Sequence, residues 1–91
     1  MKLVYTRRAQ LDILRLRKFI AINNPPAAKK YSMALLKSIK QLTQHPRLGT
    51  VVEEIDSPET REYVPNAYIV RYAVSKTQVS ILAVWHEKED R

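Results

Sequence analysis

The chain of 91 residues has no cysteine and a single glycine. Without cysteine there is no disulfide, no thiolate metal site and no Cys nucleophile, a composition that fits a reducing cytoplasm. One glycine leaves no Gly-rich loop to cradle a phosphate. No stretch approaches the roughly 20 apolar residues that span a bilayer, and Met1–Arg8 lacks the apolar run of a signal peptide. The expectation is a cytoplasmic protein with no membrane partner. Paired carboxylates at metal spacing and a nucleophile elbow are also missing, so no metal or cofactor is expected. Acids are scarce where bases are plentiful: residues 1–50 hold eleven Lys/Arg and only Asp12, a net +10, whereas residues 51–91 hold five Lys/Arg and eight acids, a net −3. A field this lopsided points to an anionic partner, either nucleic acid or an acidic protein.

Apolar residues make up 45% of the chain, enough for one folded domain over residues 1–91. Leu3-Val4-Tyr5 reads as a short strand, after which Thr6 can cap a helix from about Arg7 to Ile22. Ala9, Leu11, Ile13, Leu14, Leu16, Phe19 and Ile20 form its inward stripe, with Arg8, Arg15, Arg17 and Lys18 largely off it. Asn23-Asn24-Pro25-Pro26 stops this helix and opens a second, about Pro26 to Gln44. Ala28, Tyr31, Ala34, Leu35, Ile39 and Leu42 mark its buried side, while Lys29, Lys30, Lys37 and Lys40 stay wet. So short a connection implies an antiparallel hairpin. Gly49 is placed for a backbone turn that other residues resist.

Beyond Gly49 the pattern turns extended. Val51–Ile55 and Arg61–Val64 are candidate strands separated by a polar turn at Asp56-Ser57-Pro58-Glu59. Tyr68, Val70, Tyr72 and Val74 alternate with Ile69, Arg71 and Ala73, the period of a strand. Val79–Trp85 is nearly all apolar, as in a central strand covered on both faces. The predicted architecture is α+β in two layers: an N-terminal strand, an antiparallel helix hairpin and a C-terminal antiparallel β-meander.

Few side chains suit chemistry. His45, before Pro46, is a loop residue, whereas His86 follows Trp85 at the end of the last strand, where a side chain can leave the core. His86 as acid/base with Arg61 and Arg71 stabilising a phosphate would be metal-free ribonuclease chemistry. A second proton-transfer group is needed, and nothing in the pattern fixes Glu53, Glu54 or Glu62 near His86. A binding or structural role is therefore favoured for His86. Arg71 sits between Val70 and Tyr72, open either to a partner carboxylate or to an intrachain pair with Glu62 or Glu54.

An ordered set of short motifs runs along nearly the whole chain. It comprises Ala9-Gln10-Leu11-Asp12-Ile13, Phe19-Ile20-Ala21, Asn24-Pro25 with Ala27-Ala28, Ile39-x-x-Leu42 and His45-Pro46-x-x-Gly49. Thr60-Arg61-Glu62, Tyr68-Ile69-Val70-x-Tyr72 and Val79-x-Ile81-Leu82-x-Val84-x-His86 complete it. This set resembles the RelE/ParE superfamily of toxin–antitoxin toxins, and ParE more than RelE. The resemblance implies a plasmid-stabilising type of toxin that poisons DNA gyrase and is not an enzyme. It also implies neutralisation by a ParD-like antitoxin whose acidic tail wraps the hairpin and sheet, with operator DNA bound only through that antitoxin. RelE-type members instead cleave mRNA on the ribosome, for which His86, Arg61 and Arg71 would be the catalytic set. Residues expected to meet antitoxin or target are Arg8, Arg15, Lys18, Lys30, Lys37, Arg61, Arg71, Trp85, His86 and Lys88. Two departures stand out: Glu87-Lys88 occupies the place of the family's usual Gly-Arg, and no Tyr follows His86.

Overall fold

The computed structural model describes residues 1–55 and 59–89; the turn expected at Asp56-Ser57-Pro58 and the last tail residues, Asp90 and Arg91, lie outside them. Strand β1 is Lys2–Tyr5, and Thr6 turns the chain into helix α1, Arg7–Asn23. The Ala9 N–H donates to the Thr6 hydroxyl at 3.1 Å, satisfying one of the orphan donors of a helix start. That hydroxyl donates to the Ile81 carbonyl at 3.0 Å, so the cap is pinned to the sheet it leaves.

A 3-10 turn at Pro25–Ala27 leads into α2, Ala28–Lys40, and a second at Gln41–Thr43 ends it. The single run expected from Pro26 to Gln44 is thus an α-helix with tighter turns at both ends, because two adjacent prolines supply no N–H and bias the preceding backbone away from helix. The sheet contains β2 (Thr50–Val51), β3 (Thr60–Tyr63), β4 (Tyr68–Val74) and β5 (Gln78–His86), in the order β1-β5-β4-β3-β2. β1 runs parallel to β5, and the other neighbours are antiparallel. Val51–Ile55 is not a full strand. Pairing ends at Val51, and the Ile55 N–H turns back to the Val52 carbonyl at 3.2 Å.

The helices cover one face of this sheet. Ala9, Leu16, Leu35, Ile39 and Leu42 meet Val70, Tyr72, Val79, Ile81 and Val84 in one core cluster. The inner line of α1 is Ala9, Asp12, Leu16 and Ile20, so the predicted stripe was too wide: Leu11 and Leu14 are 52% and 54% exposed. On α2, Tyr31 and Ala34 are exposed rather than buried. β5 is also not covered on both faces. Arg71 pairs with Ala83 and Tyr72 with Ile81, leaving Leu82 as an extra residue in a bulge. Burial therefore changes phase there, from Val79 and Ile81 to Val84, while Leu82 and Trp85 stay partly exposed.

Gly49 is required for room rather than for a special backbone angle, since its φ is not positive. A Cβ there would lie 2.5 Å from the Glu62 carbonyl oxygen and 2.9 Å from Cε1 of Tyr72. The same approach lets the Gly49 N–H donate to the Tyr72 hydroxyl at 2.8 Å, which in turn donates to the Pro46 carbonyl at 2.7 Å. Burial pushes the Tyr72 phenol above its ordinary pKa, so it stays neutral and able to donate. Gly49→Ala is expected to lower stability by about 1–3 kcal/mol through overpacking against backbone. Tyr72→Phe, which strands the buried Gly49 N–H and the part-buried Pro46 carbonyl, should do so by about the same amount; thermal denaturation of each variant measures both.

Candidate functional site

The site grows from an uneven sheet edge. β1 ends at Tyr5, opposite Ile81, but β5 continues to His86. Beyond that point β5 would present bare backbone on the side β1 has vacated, an edge that proteins must cover. Side chains of α1 and the tail cover it here. Asp12, 2% exposed, accepts the Val84 N–H at 3.0 Å, and Arg15 donates to the Val84 carbonyl at 3.0 Å. Glu89 then accepts the His86 N–H at 2.9 Å. Arg15 links the two acids, hydrogen-bonding Asp12 on one side and Glu89 at 2.8 Å on the other; Arg8 adds a longer pair to Asp12 at 3.5 Å. The Arg15 hydrogen bond holds the Glu89 carboxyl below its ordinary pKa, outweighing burial, and Glu89 in turn raises that of Arg15.

His86 lies on the helix-covered side, opposite Tyr68. Its Nδ1 accepts the Lys88 N–H at 3.0 Å, which leaves Nε2 as the protonated nitrogen of the neutral ring. The ring sits between Phe19 (centroids 5.3 Å apart, tilted) and Tyr68 (5.0 Å, edge-on). Together they wall a cavity of about 460 Å³ that also reaches Tyr31, Leu35, Asn66 and Lys88. Burial, with smaller contributions from Tyr31 and Glu89, raises the pKa of the Tyr68 phenol. The β3–β4 turn lines the cavity through Pro65 and Asn66; Asn66 and the following Ala67 have φ 51° and 71°, left-handed backbone that disfavours a residue with a Cβ. The Glu87 N–H donates to the Ala67 carbonyl at 2.9 Å and ties this turn to the tail.

Arg71 is on the opposite face. It donates to Glu62 from Nε and Nη2 at 2.8 and 2.5 Å and lies 5.4 Å above the Trp85 ring. Of the two alternatives left open for Arg71, the intrachain pair with Glu62 is formed. Arg61 donates to the Gly49 carbonyl at 2.8 Å and pairs across β4 with Tyr72, whereas His86 pairs with Tyr68. Those positions are four residues apart along β4, about 13 Å, and Arg71 points the other way. His86, Arg61 and Arg71 are therefore not brought together. Arg8, Lys18, Lys30, Lys37 and Lys88 are exposed, and Arg15 is committed to the edge cover. Glu89, Phe19, Tyr31, Tyr68 and Asn66 were not singled out for function from the sequence. Asp12 had a usable signal, as the lone acid of the basic half placed on the apolar line of α1. Among the described residues there is no cluster of three His, Cys, Asp or Glu able to hold a metal, and no helix long and apolar enough to cross a membrane.

Against this geometry the comparisons with known proteins are consistent. The family described as "ParE toxin of type II toxin-antitoxin system, parDE" matches residues 3–91. A curated relative, "Toxin RelE1" of Caulobacter vibrioides, is 31% identical over 88 residues, covering 92% of this chain and 90% of the relative. A solved structure titled "Chromosomal ParDE TA system from P. aeruginosa" superimposes with a TM-score of 0.77 at 20% identity, covering 94% of this chain and 95% of that one, and shows the shared fold.

Two tests follow from the edge cover. Asp12→Ala leaves the Val84 N–H and the guanidinium of Arg15 without their buried acceptor, and should cost about 3 kcal/mol in chemical denaturation. Glu89 has a lowered pKa in the folded state, so its contribution is full at neutral pH and is lost as pH falls below the ordinary carboxylate value of about 4.3. Hydrogen exchange at the His86 amide should accelerate on acidification relative to amides of β4, and Glu89→Gln should abolish that pH-dependent difference.

Proposed function

The chain belongs to the ParE toxin family of type II toxin–antitoxin systems, and on that basis we propose that it inhibits DNA gyrase until a ParD-like antitoxin covers its helix hairpin. The carrying observation is the outer face of the two helices. Leu11, Leu14, Lys18 and Ile22 recur at three- and four-residue spacing on α1, as do Lys30, Met33 and Lys37 on α2. The apolar members are well exposed: Ile22 is 80% and Met33 60% accessible. Apolar anchors interleaved with cations suit a partner that is itself both apolar and acidic, as a folding-upon-binding antitoxin segment would be. Operator DNA would then be reached through the antitoxin.

A non-enzymatic action is supported by the separation of His86, Arg61 and Arg71 described above. The second reading, ribosome-dependent mRNA cleavage, draws on the relative that carries the name RelE1. It would need His86 for proton transfer at a site assembled on the ribosome.

One induction experiment separates the two. Cells expressing the chain should accumulate DNA breaks while their transcripts stay intact, and the purified protein should inhibit supercoiling by gyrase. Cut transcripts with intact DNA would overturn the gyrase proposal. Lys18→Glu combined with Lys37→Glu should weaken antitoxin affinity tenfold or more, measured by calorimetry, and an unchanged affinity would remove the hairpin as its binding face.

A further inference from the structure

The cavity beside His86 shares no lining residue with the helix face just described, and we propose that it binds a nucleotide, with the base held inside and the phosphate toward Lys88. Its volume, about 460 Å³, falls within the range of small-molecule sites. Phe19, Tyr31, Tyr68 and His86 supply aromatic walls, and Ile20 and Leu35 an apolar floor. Such walls favour a planar ring, since stacking on aromatic side chains is worth about 1–3 kcal/mol per base.

The rim narrows the chemistry. Ser38 and Asn66 line it, and among the described residues neither side chain is hydrogen-bonded within the protein. With Nδ1 of His86 occupied by the Lys88 N–H, Nε2 is the ring nitrogen left to donate. A phenylalanine or leucine anchor from a partner chain would cover these groups without offering them a partner, and each such loss costs about 1–3 kcal/mol. A nucleobase carries donors and acceptors around its edge and can satisfy them, as Asn side chains do when they read adenine. Among the described residues no Asp or Glu lines the cavity, whereas the exposed Lys88 does. Charge therefore selects a neutral ring attached to an anion, and a bare phosphate would leave the aromatic walls unused.

The backbone around the cavity is held in place in advance. Pro65 and left-handed Asn66 line one side, and the bond from the Glu87 N–H to the carbonyl of the next residue, Ala67, ties that turn to the tail that carries Lys88. Less ordering is then left for the ligand to impose, which favours affinity.

The test is a titration of the isotopically labelled full chain, followed by amide chemical shifts, with AMP, adenosine and tripolyphosphate as probes. AMP and adenosine are expected to shift Phe19, Asn66, Tyr68 and His86 saturably, AMP binding several-fold more tightly. Tyr31→Ala, at a helix position already 43% exposed, should fold normally and weaken both ligands about tenfold. Lys88→Ala should bring AMP to the affinity of adenosine and leave adenosine unchanged. The proposal is overturned if AMP, GMP, CMP and UMP all give no saturable shift at millimolar concentration. It is equally overturned if tripolyphosphate reproduces the shifts, which would reveal charge alone, or if only a peptide with an aromatic side chain fills the cavity. None of these outcomes depends on whether gyrase is the target.

Discussion

A single carboxylate decides how the two layers of this protein meet. Asp12 lies on the inner line of α1, between Ala9 and Leu16, where an apolar residue would ordinarily sit. Its oxygens accept a backbone N–H from Val84, 72 residues away, and the charge-assisted bond from Arg15. A buried acid without such partners would be strongly destabilising; with them it becomes a geometric key, because only one placement of α1 on β5 satisfies it. That placement brings Phe19, two turns further along the helix, against His86. The aromatic cavity is in this sense a consequence of how the sheet edge is covered.

The same interactions decide which cations stay on the surface. Arg15 is consumed by the edge cover, and Arg71 by Glu62 and Trp85. Lys18, Lys30 and Lys37 remain on the outer helix faces beside unburied Leu11, Leu14 and Met33. Apolar surface left exposed beside cations in this way is the kind of surface that a binding partner can bury.

Periodicity made much of this architecture legible. Thr6 as a cap, the two helices, β4 and the order of elements follow from local pattern, because each depends on neighbours in sequence. The misses share a cause in long-range geometry. The bulge at Leu82 hid a phase change inside an apolar run, so β5 looked covered on both faces. Gly49 looked like a turn residue, yet its need for space is set by Glu62 and Tyr72 from other strands. His86 was recognised as placed to leave the core, but its ring partners, Phe19 and Tyr68, meet only after the hairpin folds over the sheet. Glu89 in the polar tail had no periodic signature at all; its role exists only because β1 is shorter than β5.

The parallel pairing of β1 with β5 has a consequence for biosynthesis. Lys2–Tyr5 cannot find its partner until Gln78–Ile81, far along the chain, has also been made. The sheet therefore cannot close before β5 has been synthesised, and non-local closure of this kind is slow to form even afterwards. A nascent or prematurely terminated chain lacks both the closed sheet and the edge cover that positions α1. The folded arrangement of α1 on the sheet therefore comes into being only once β5 has been made and paired.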